Sequence, residues 1–250
     1  MKLLLSLIPA LLLLLATGCA TTSEDDIEEA NKTAILLYEE AKSALNQEDY
    51  ETAIQKLESL EARFPFGKFA QQAQLDMAYA YYKYDEPESA VASADRFIRL
   101  YPRHPNVDYA HYLKGIVRFT QGHSAFDSIS NTDPAKRDPE AARKSFLYFS
   151  QLVNRFPGSK YTPDALERMK YLRNSLARHE LYAAEHYEKM GAFVAAANRA
   201  KYILENFQKT PYTKDALKIM INAYEQLKLN QLAADAQRVY DLNFEKTSSN

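Results

Sequence analysis

Residues 63–73 read RFPFGKFAQQA and contain the pattern that decides the fold. Proline follows the aromatic Phe64 directly, and the alanine Ala73 lies nine residues after that aromatic. The aromatic and the alanine recur together, with the aromatics 37, 55 and 51 residues apart, at Phe64/Ala73, Tyr101/Ala110, Phe156/Ala165 and Phe207/Ala216, and proline follows the aromatic in the first three copies. Spacings that hold through four copies indicate a repeat protein.

A second recurring set of small residues indicates that each repeat contains two helices. Residues twelve apart form the pairs Ala41/Ala53, Ala78/Ala90, Ala184/Ala196 and, more loosely, Ala223/Asp235. We place the first member of each pair, and Gly115 in the third repeat, at mid-helix, where a partner helix approaches closely. The aromatic is expected to fill the seam to the next repeat. The proline is expected to end the helix, because it lacks an N–H donor.

The predicted fold is all-α, a right-handed superhelix of about five tetratricopeptide-like helix hairpins. Composition agrees, since 6 glycines among 250 residues leave little material for the turns of a β-sandwich. A loop at 121–139 interrupts the third repeat, and its length leaves contact with a partner and simple mobility as alternatives. The predicted helices span 30–47, 49–64, 68–83, 86–100, 106–121, 138–156, 162–189, 192–207, 212–228 and 230–245.

The first 18 residues predict a lipoprotein signal peptide. The apolar run at 3–15 is too short to span a bilayer as a helix and is typical of a secretory signal. Small residues then precede Cys19, the single cysteine, as in a bacterial lipobox. The alternative is an ordinary signal peptide followed by a free cysteine. Ala20, rather than aspartate, follows Cys19, which favours an outer-membrane, lipid-anchored protein facing the periplasm.

The predicted organisation is a signal peptide at 1–18, a lipidated N-terminus and tether at 19–29, and a repeat domain at 30–250. The N-terminal repeats occupy 30–121 and the C-terminal repeats 138–245. The net charge is −2, so the chain has no bulk basic surface and nucleic-acid binding is disfavoured.

Enzyme chemistry has little support in the sequence. Neither a G-x-S-x-G motif, a P-loop nor a G-x-G-x-x-G motif is present. His104/His111 and His179/His186 are seven residues apart, which is not the i, i+4 spacing of a helical zinc site. We therefore predict a non-enzymatic protein without a catalytic residue, metal site or cofactor.

Aromatic residues are the candidate ligand-binding groups. The runs at 64–69 and 79–84 are denser in aromatics than a core needs. Tyr79, Tyr81 and Tyr82 point in different directions on a helix, so we expect them to be unequally buried and some to line the concave surface. An aromatic groove would bind an extended or C-terminal peptide, and packing in the core alone is the alternative.

Arg199 is the candidate partner-binding cation. It lies among alanines, with no acidic residue three or four positions away to pair with it. We therefore expect an unpaired guanidinium that could hold a partner's carboxylate, and a solvated surface arginine is the alternative.

The stretches 63–83, 95–109, 137–139 and 191–199 resemble the BamD family, lipoprotein subunits of the outer-membrane β-barrel assembly machinery. The resemblance covers essentially all of the chain after the signal peptide. It implies a non-enzymatic scaffold that binds the C-terminal signals of unfolded outer-membrane proteins. It also implies docking on the periplasmic domains of BamA, beside other Bam lipoproteins, to promote insertion.

The resemblance also implies roles for individual residues. The implied peptide-binding residues are Phe64, Phe66, Phe69, Tyr79 and Tyr82, and the implied partner-binding residues are Asn198 and Arg199. One departure is that Tyr50-Glu51 stands where some relatives carry an arginine, which puts a cation for the peptide carboxylate in doubt. Two other functions stay open: a generic periplasmic tetratricopeptide lipoprotein linked to cell-envelope or peptidoglycan machinery, and a competence-related role in DNA uptake, which the acidic charge disfavours.

Overall fold

The structure is a computed structural model that describes residues 24–66, 68–121 and 133–245. The regular secondary structure of these residues is helical and includes no β-strand, in agreement with the predicted all-α class. All ten predicted helices are confirmed. Their ends lie within two residues of prediction, except that the first starts earlier and the last ends in a π-helical turn. The helices are α1 (Glu24–Asn46), α2 (Tyr50–Arg63), α3 (Lys68–Lys83), α4 (Pro87–Leu100), α5 (Val107–Gln121), α6 (Glu140–Arg155), α7 (Thr162–Lys189), α8 (Phe193–Asn206), α9 (Thr213–Gln226) and α10 (Asn230–Tyr240), with a 3-10 turn at Pro134–Lys136 and the π-helical turn at Asp241–Glu245.

The chain divides into two compact units, Met1–Ala73 and Gln74–Asn250. In the first unit, α1 packs on α2, and the buried face of α2 consists of Ala53, Ile54, Leu57 and Leu60. In the second unit, helices that follow one another in the chain pack together from α4 to α10, and α7 also contacts α9. Packing between sequence neighbours is the expected pattern of a helical repeat protein.

The turn inside a repeat has the same geometry in four places. The second residue after the first helix has a left-handed backbone, with φ from 59° to 74°, at Glu48, Asp85, Gly191 and Lys228. The next residue's N–H donates to the carbonyl five positions earlier, at 2.9 Å in each turn. This is the Schellman arrangement, which ends a helix and satisfies its last carbonyl groups.

The aromatic residues that end the repeats cap the second helices. The residues Phe64, Tyr101, Phe156 and Phe207 share φ values from −133° to −128°, and each N–H donates at 2.8 Å to the carbonyl four positions earlier. Phe156 packs against two core clusters, one around Phe97 and one around Phe149. It therefore fills the seam between successive repeats.

The recurring alanines lie where helices meet. Those at 0% exposure are Ala41, Ala53, Ala73, Ala78, Ala90, Ala110, Ala165, Ala184, Ala196, Ala216 and Ala223. The prediction that Asp235 occupies this position in the last hairpin is wrong. Ala53, Ala90 and Ala196 each follow a left-handed turn residue by five positions, and in the last hairpin that position is the buried Ala233. Asp235 pairs instead with Arg238 at 3.2 Å.

Gly115 lies at the close helix contact predicted for the third repeat. A Cβ atom at this position would lie 2.4 Å from the nearest atom of the Phe149 ring. The Gly115 carbonyl also accepts a hydrogen bond from Ser145 Oγ at 2.9 Å. The absence of a side chain therefore lets α5 and α6 approach closely.

Part of the predicted loop at 121–139 lies outside the described residues, and its described end is anchored to α7. Asp133 accepts hydrogen bonds from the Tyr182 hydroxyl and from Arg178 Nη2, the latter at 2.8 Å. His179 Nδ1 lies 2.8 Å from the carbonyl oxygen of Ala135. Residues 133–135 are thus held on the long helix of the fourth repeat.

Candidate interaction sites

The predicted lipidation site, Cys19, lies outside the described residues, as does the predicted signal peptide. Among the helices that the structure describes, none has both the length and the apolar character needed to cross a membrane.

Three of the predicted peptide-binding aromatics lie in the first unit, around the end of α2 and the start of α3. Phe66 is 98% exposed. Phe64 is half-buried, and the Arg63 guanidinium carbon lies 5.4 Å from its ring centroid. The Phe69 ring lies 5.2 Å from the Tyr38 ring, tilted against it. Phe66 is therefore the freest of the three to contact a ligand.

The other two, Tyr79 and Tyr82, lie in the second unit on α3, with ring centroids 6.4 Å apart. Both pack with Tyr81 against the core cluster around Ala78 and Ala90. All three tyrosines are half-buried, so none of them lies wholly in the core or wholly at the surface. The reason is that this part of α3 is buried in several directions, at Leu75, Met77, Ala78 and Ala80.

Arg199 does not carry the unpaired guanidinium that its neighbours in sequence predict. Its Nη1 donates to Glu180 Oε2 at 2.8 Å, and the bond to this carboxylate raises the arginine's pKa. Glu180 lies on α7, 19 residues away in sequence and so beyond the i±3 and i±4 neighbours of Arg199. Half of the Arg199 side chain is still exposed, and the adjacent Asn198 is exposed as well.

Glu180 is a residue that the sequence reasoning missed. Its side chain is 3% exposed, and Oε1 accepts a second hydrogen bond, from Arg143 Nη2 at 3.1 Å. A signal was present, because Glu180 stands between Ala177, Leu181 and Ala184 on the buried face of α7. A carboxylate at such a position requires a cationic or hydrogen-bonding partner from another element.

A cavity of about 390 Å³ lies between α5, residues 135–142 and α7. Two of the cations on its wall, Arg118 and Lys144, are paired with carboxylates. Arg118 makes a bidentate contact with Glu88, at 2.6 and 2.7 Å, and Lys144 lies 2.6 Å from Glu140. Because these charges are already paired within the protein, we assign the cavity no ligand.

His111 is a core residue of α5. It is 4% exposed, its ring lies 5.4 Å from that of Phe156, and neither ring nitrogen has a hydrogen-bond partner among the described residues. Burial, together with the nearby cations Arg155 and Lys114, lowers the pKa of His111 to about 4. The imidazole is therefore neutral at physiological pH.

The repeated Schellman turns, aromatic caps and buried alanines define a helical repeat protein of the tetratricopeptide type. The model of a family described as "YfiO: Outer membrane lipoprotein" matches residues 30–239. The chain belongs to this family.

Proteins named outer membrane protein assembly factor BamD are similar along nearly the whole length. The protein from Neisseria gonorrhoeae is 44% identical over 92% of this chain and 88% of its own. The protein from Vibrio cholerae is 36% identical over 93% of this chain and 95% of its own.

Proposed function

We propose that this protein is a non-enzymatic scaffold of the machinery that inserts β-barrel proteins into the outer membrane. The observation that carries the proposal is the family match, which spans residues 30–239 and so includes almost every described helix. Relatives that align over about nine-tenths of the chain are named as assembly factors for outer membrane proteins. The same family supports a lipid anchor at Cys19, after removal of residues 1–18, and a location at the periplasmic face of the outer membrane.

The proposed substrates are unfolded outer-membrane proteins, bound through their C-terminal signals. The support is the resemblance, together with the exposure of Phe66 (98%) at the end of the first repeat. An exposed phenylalanine offers an apolar contact for an extended peptide. The half-buried Phe64, Phe69, Tyr79 and Tyr82 are proposed as further contacts.

Substrate binding is tested by measuring the affinity of the full-length protein for a peptide with the C-terminal sequence of an outer-membrane protein. Phe66→Ala is expected to weaken binding several-fold without changing the melting temperature. Leu100→Ala, at another exposed apolar position, is the matched control and is expected to leave the affinity unchanged. Equal affinities of Phe66→Ala and wild type would remove Phe66 from the site.

The proposed partners are the periplasmic domains of BamA and other Bam lipoproteins, with Asn198 and Arg199 on the contact surface. Both residues are exposed on α8, which supports this assignment. Affinity purification of the protein from membranes, followed by mass spectrometry, tests the partners. Co-purification of BamA is expected, whereas peptidoglycan-associated proteins in its place would favour the alternative of a cell-envelope scaffold.

A further inference from the structure

Glu180 holds two arginines that belong to different helices. Its Oε1 accepts from Arg143 of α6 and its Oε2 from Arg199 of α8, while the carboxylate itself lies on α7. The carboxylate is 3% exposed, but the arginine side chains are 53% and 46% exposed. A buried anion is thus covered by two cations that reach the surface.

The cluster has more positive charge than burial of Glu180 requires. One guanidinium would neutralise the carboxylate, and the second leaves a net charge of +1 at the surface. Neighbouring cations differ, because each pairs with an acid of its own: Lys144 with Glu140 at 2.6 Å, and Lys201 with Glu205 at 3.6 Å. The unbalanced charge is therefore concentrated at Arg143 and Arg199.

The geometry also leaves hydrogen-bond donors for a ligand. A guanidinium carries five N–H donors, and the bonds to Glu180 use one from each arginine, while Arg199 also hydrogen-bonds the Tyr187 side chain. The buried acceptor restricts where each planar group can lie, so less side-chain freedom is lost when a ligand binds. A carboxylate is the group that such donors bind best.

We infer that Arg143 and Arg199 form one site for a carboxylate side chain of the docking partner, and that Glu180 is its positioning residue. The inference rests on the proposed docking function. It adds Arg143 to the contact, and it gives the buried acid a role in binding as well as in packing.

The test measures, by calorimetry, the affinity of the full-length protein in detergent for the isolated periplasmic domains of BamA. Arg143→Ala is expected to weaken binding about tenfold. Arg143→Lys is expected to weaken it about threefold, since an ammonium keeps the charge and loses the planar fork. Lys144→Ala and Lys201→Ala, on the same two helices, are the matched controls and are expected to bind within about twofold of wild type.

Glu180→Gln separates positioning from charge. Removing the anion raises the net charge of the cluster to +2, which would strengthen binding if the arginines acted only as charges. If Glu180 positions them, affinity falls, by about fivefold or more. A melting curve establishes whether Glu180→Gln is folded. If it is not, the affinity of Arg143→Lys serves as the test.

The outcomes distinguish the two proposals. Wild-type protein that fails to bind the domains overturns the docking function and this inference with it. Wild-type protein that binds, and is weakened by Arg199→Ala but not by Arg143→Ala, overturns the two-arginine site alone. Tighter binding by folded Glu180→Gln overturns the positioning role.

Discussion

Gly115→Ala tests the close contact between α5 and α6 in the third repeat. The added Cβ would lie 2.4, 2.5 and 2.8 Å from three ring atoms of Phe149, whereas carbon atoms in contact are normally about 3.5–4.0 Å apart. Phe149 is 0% exposed, and its cluster contains Leu152, Ala165 and Leu172. The ring would have to shift by about 1 Å into a filled core.

Two opposing contributions determine how much the substitution changes the free energy of unfolding. Replacing a helical glycine by alanine gains about 1 kcal/mol of helix propensity. Overpacking a well-filled core costs about 1–3 kcal/mol, and here the enclosed ring has no free side to which it can retreat. We therefore expect a net destabilisation of about 1 kcal/mol for Gly115→Ala. Gly115→Leu, which adds three more carbons at the same seam, is expected to lose about 3 kcal/mol or more.

Urea unfolding followed by circular dichroism measures these differences. Gly158→Ala is the matched control, since a Cβ there meets nothing within 4 Å, and its stability is expected to stay within about 0.5 kcal/mol of wild type. In a Phe149→Leu background, Gly115→Ala should be less destabilising than in wild type. A Gly115→Ala protein as stable as wild type would refute the steric reasoning.

Three other predictions concern the anchor, a turn and a buried histidine. Cys19→Ser is expected to abolish acylation, because serine lacks the thiol that is lipidated; a fatty-acid analogue that still labels the mutant would contradict the lipobox interpretation. Lys228→Gly is expected to raise the unfolding free energy by about 1 kcal/mol, since glycine adopts φ 59° without strain, and Lys218→Gly, at mid-helix, to lower it by a similar amount. Wild-type stability is expected to fall by about 2 kcal/mol between pH 7 and pH 5, because the unfolded His111 takes up a proton near pH 6.5 and the folded one only near pH 4. His111→Leu should lose this part of the pH dependence, and an unchanged slope in the variant would assign it to other groups.

The elements that sequence predicted well follow local rules. The residue before a proline is restricted, and proline cannot continue a helix, so the ends of the helices at Phe64, Tyr101 and Phe156 could be placed from three letters each. The left-handed turn residues were harder to place, since only Gly191 among the four is a glycine. Glu48, Asp85 and Lys228 adopt the same backbone because the hydrogen bonds of the turn and the packing of two helices outweigh a modest steric cost.

The tyrosines of α3 show that local sequence rules do not predict burial. Helical geometry correctly places Tyr79, Tyr81 and Tyr82 in different directions, but burial depends on what occupies each direction. Neighbouring helices contribute to one cluster around Ala78 and to another around Leu75, so several faces of α3 meet protein. The number of buried faces is a property of the packing, and amphipathic periodicity does not contain it.

Arg199 shows the same limit of local sequence rules at a candidate site. Its pairing with Glu180 changes the argument for partner binding. The sequence favoured partner contact because the arginine had no local acid, yet Glu180 satisfies it from another helix. Pairing does not remove the binding potential, because Glu180 is shared with Arg143 and the two cations exceed the one anion. The signal that pointed to this site was not the arginine among alanines. It was an acid on the buried face of α7, which had to be matched by cations from the helices on either side.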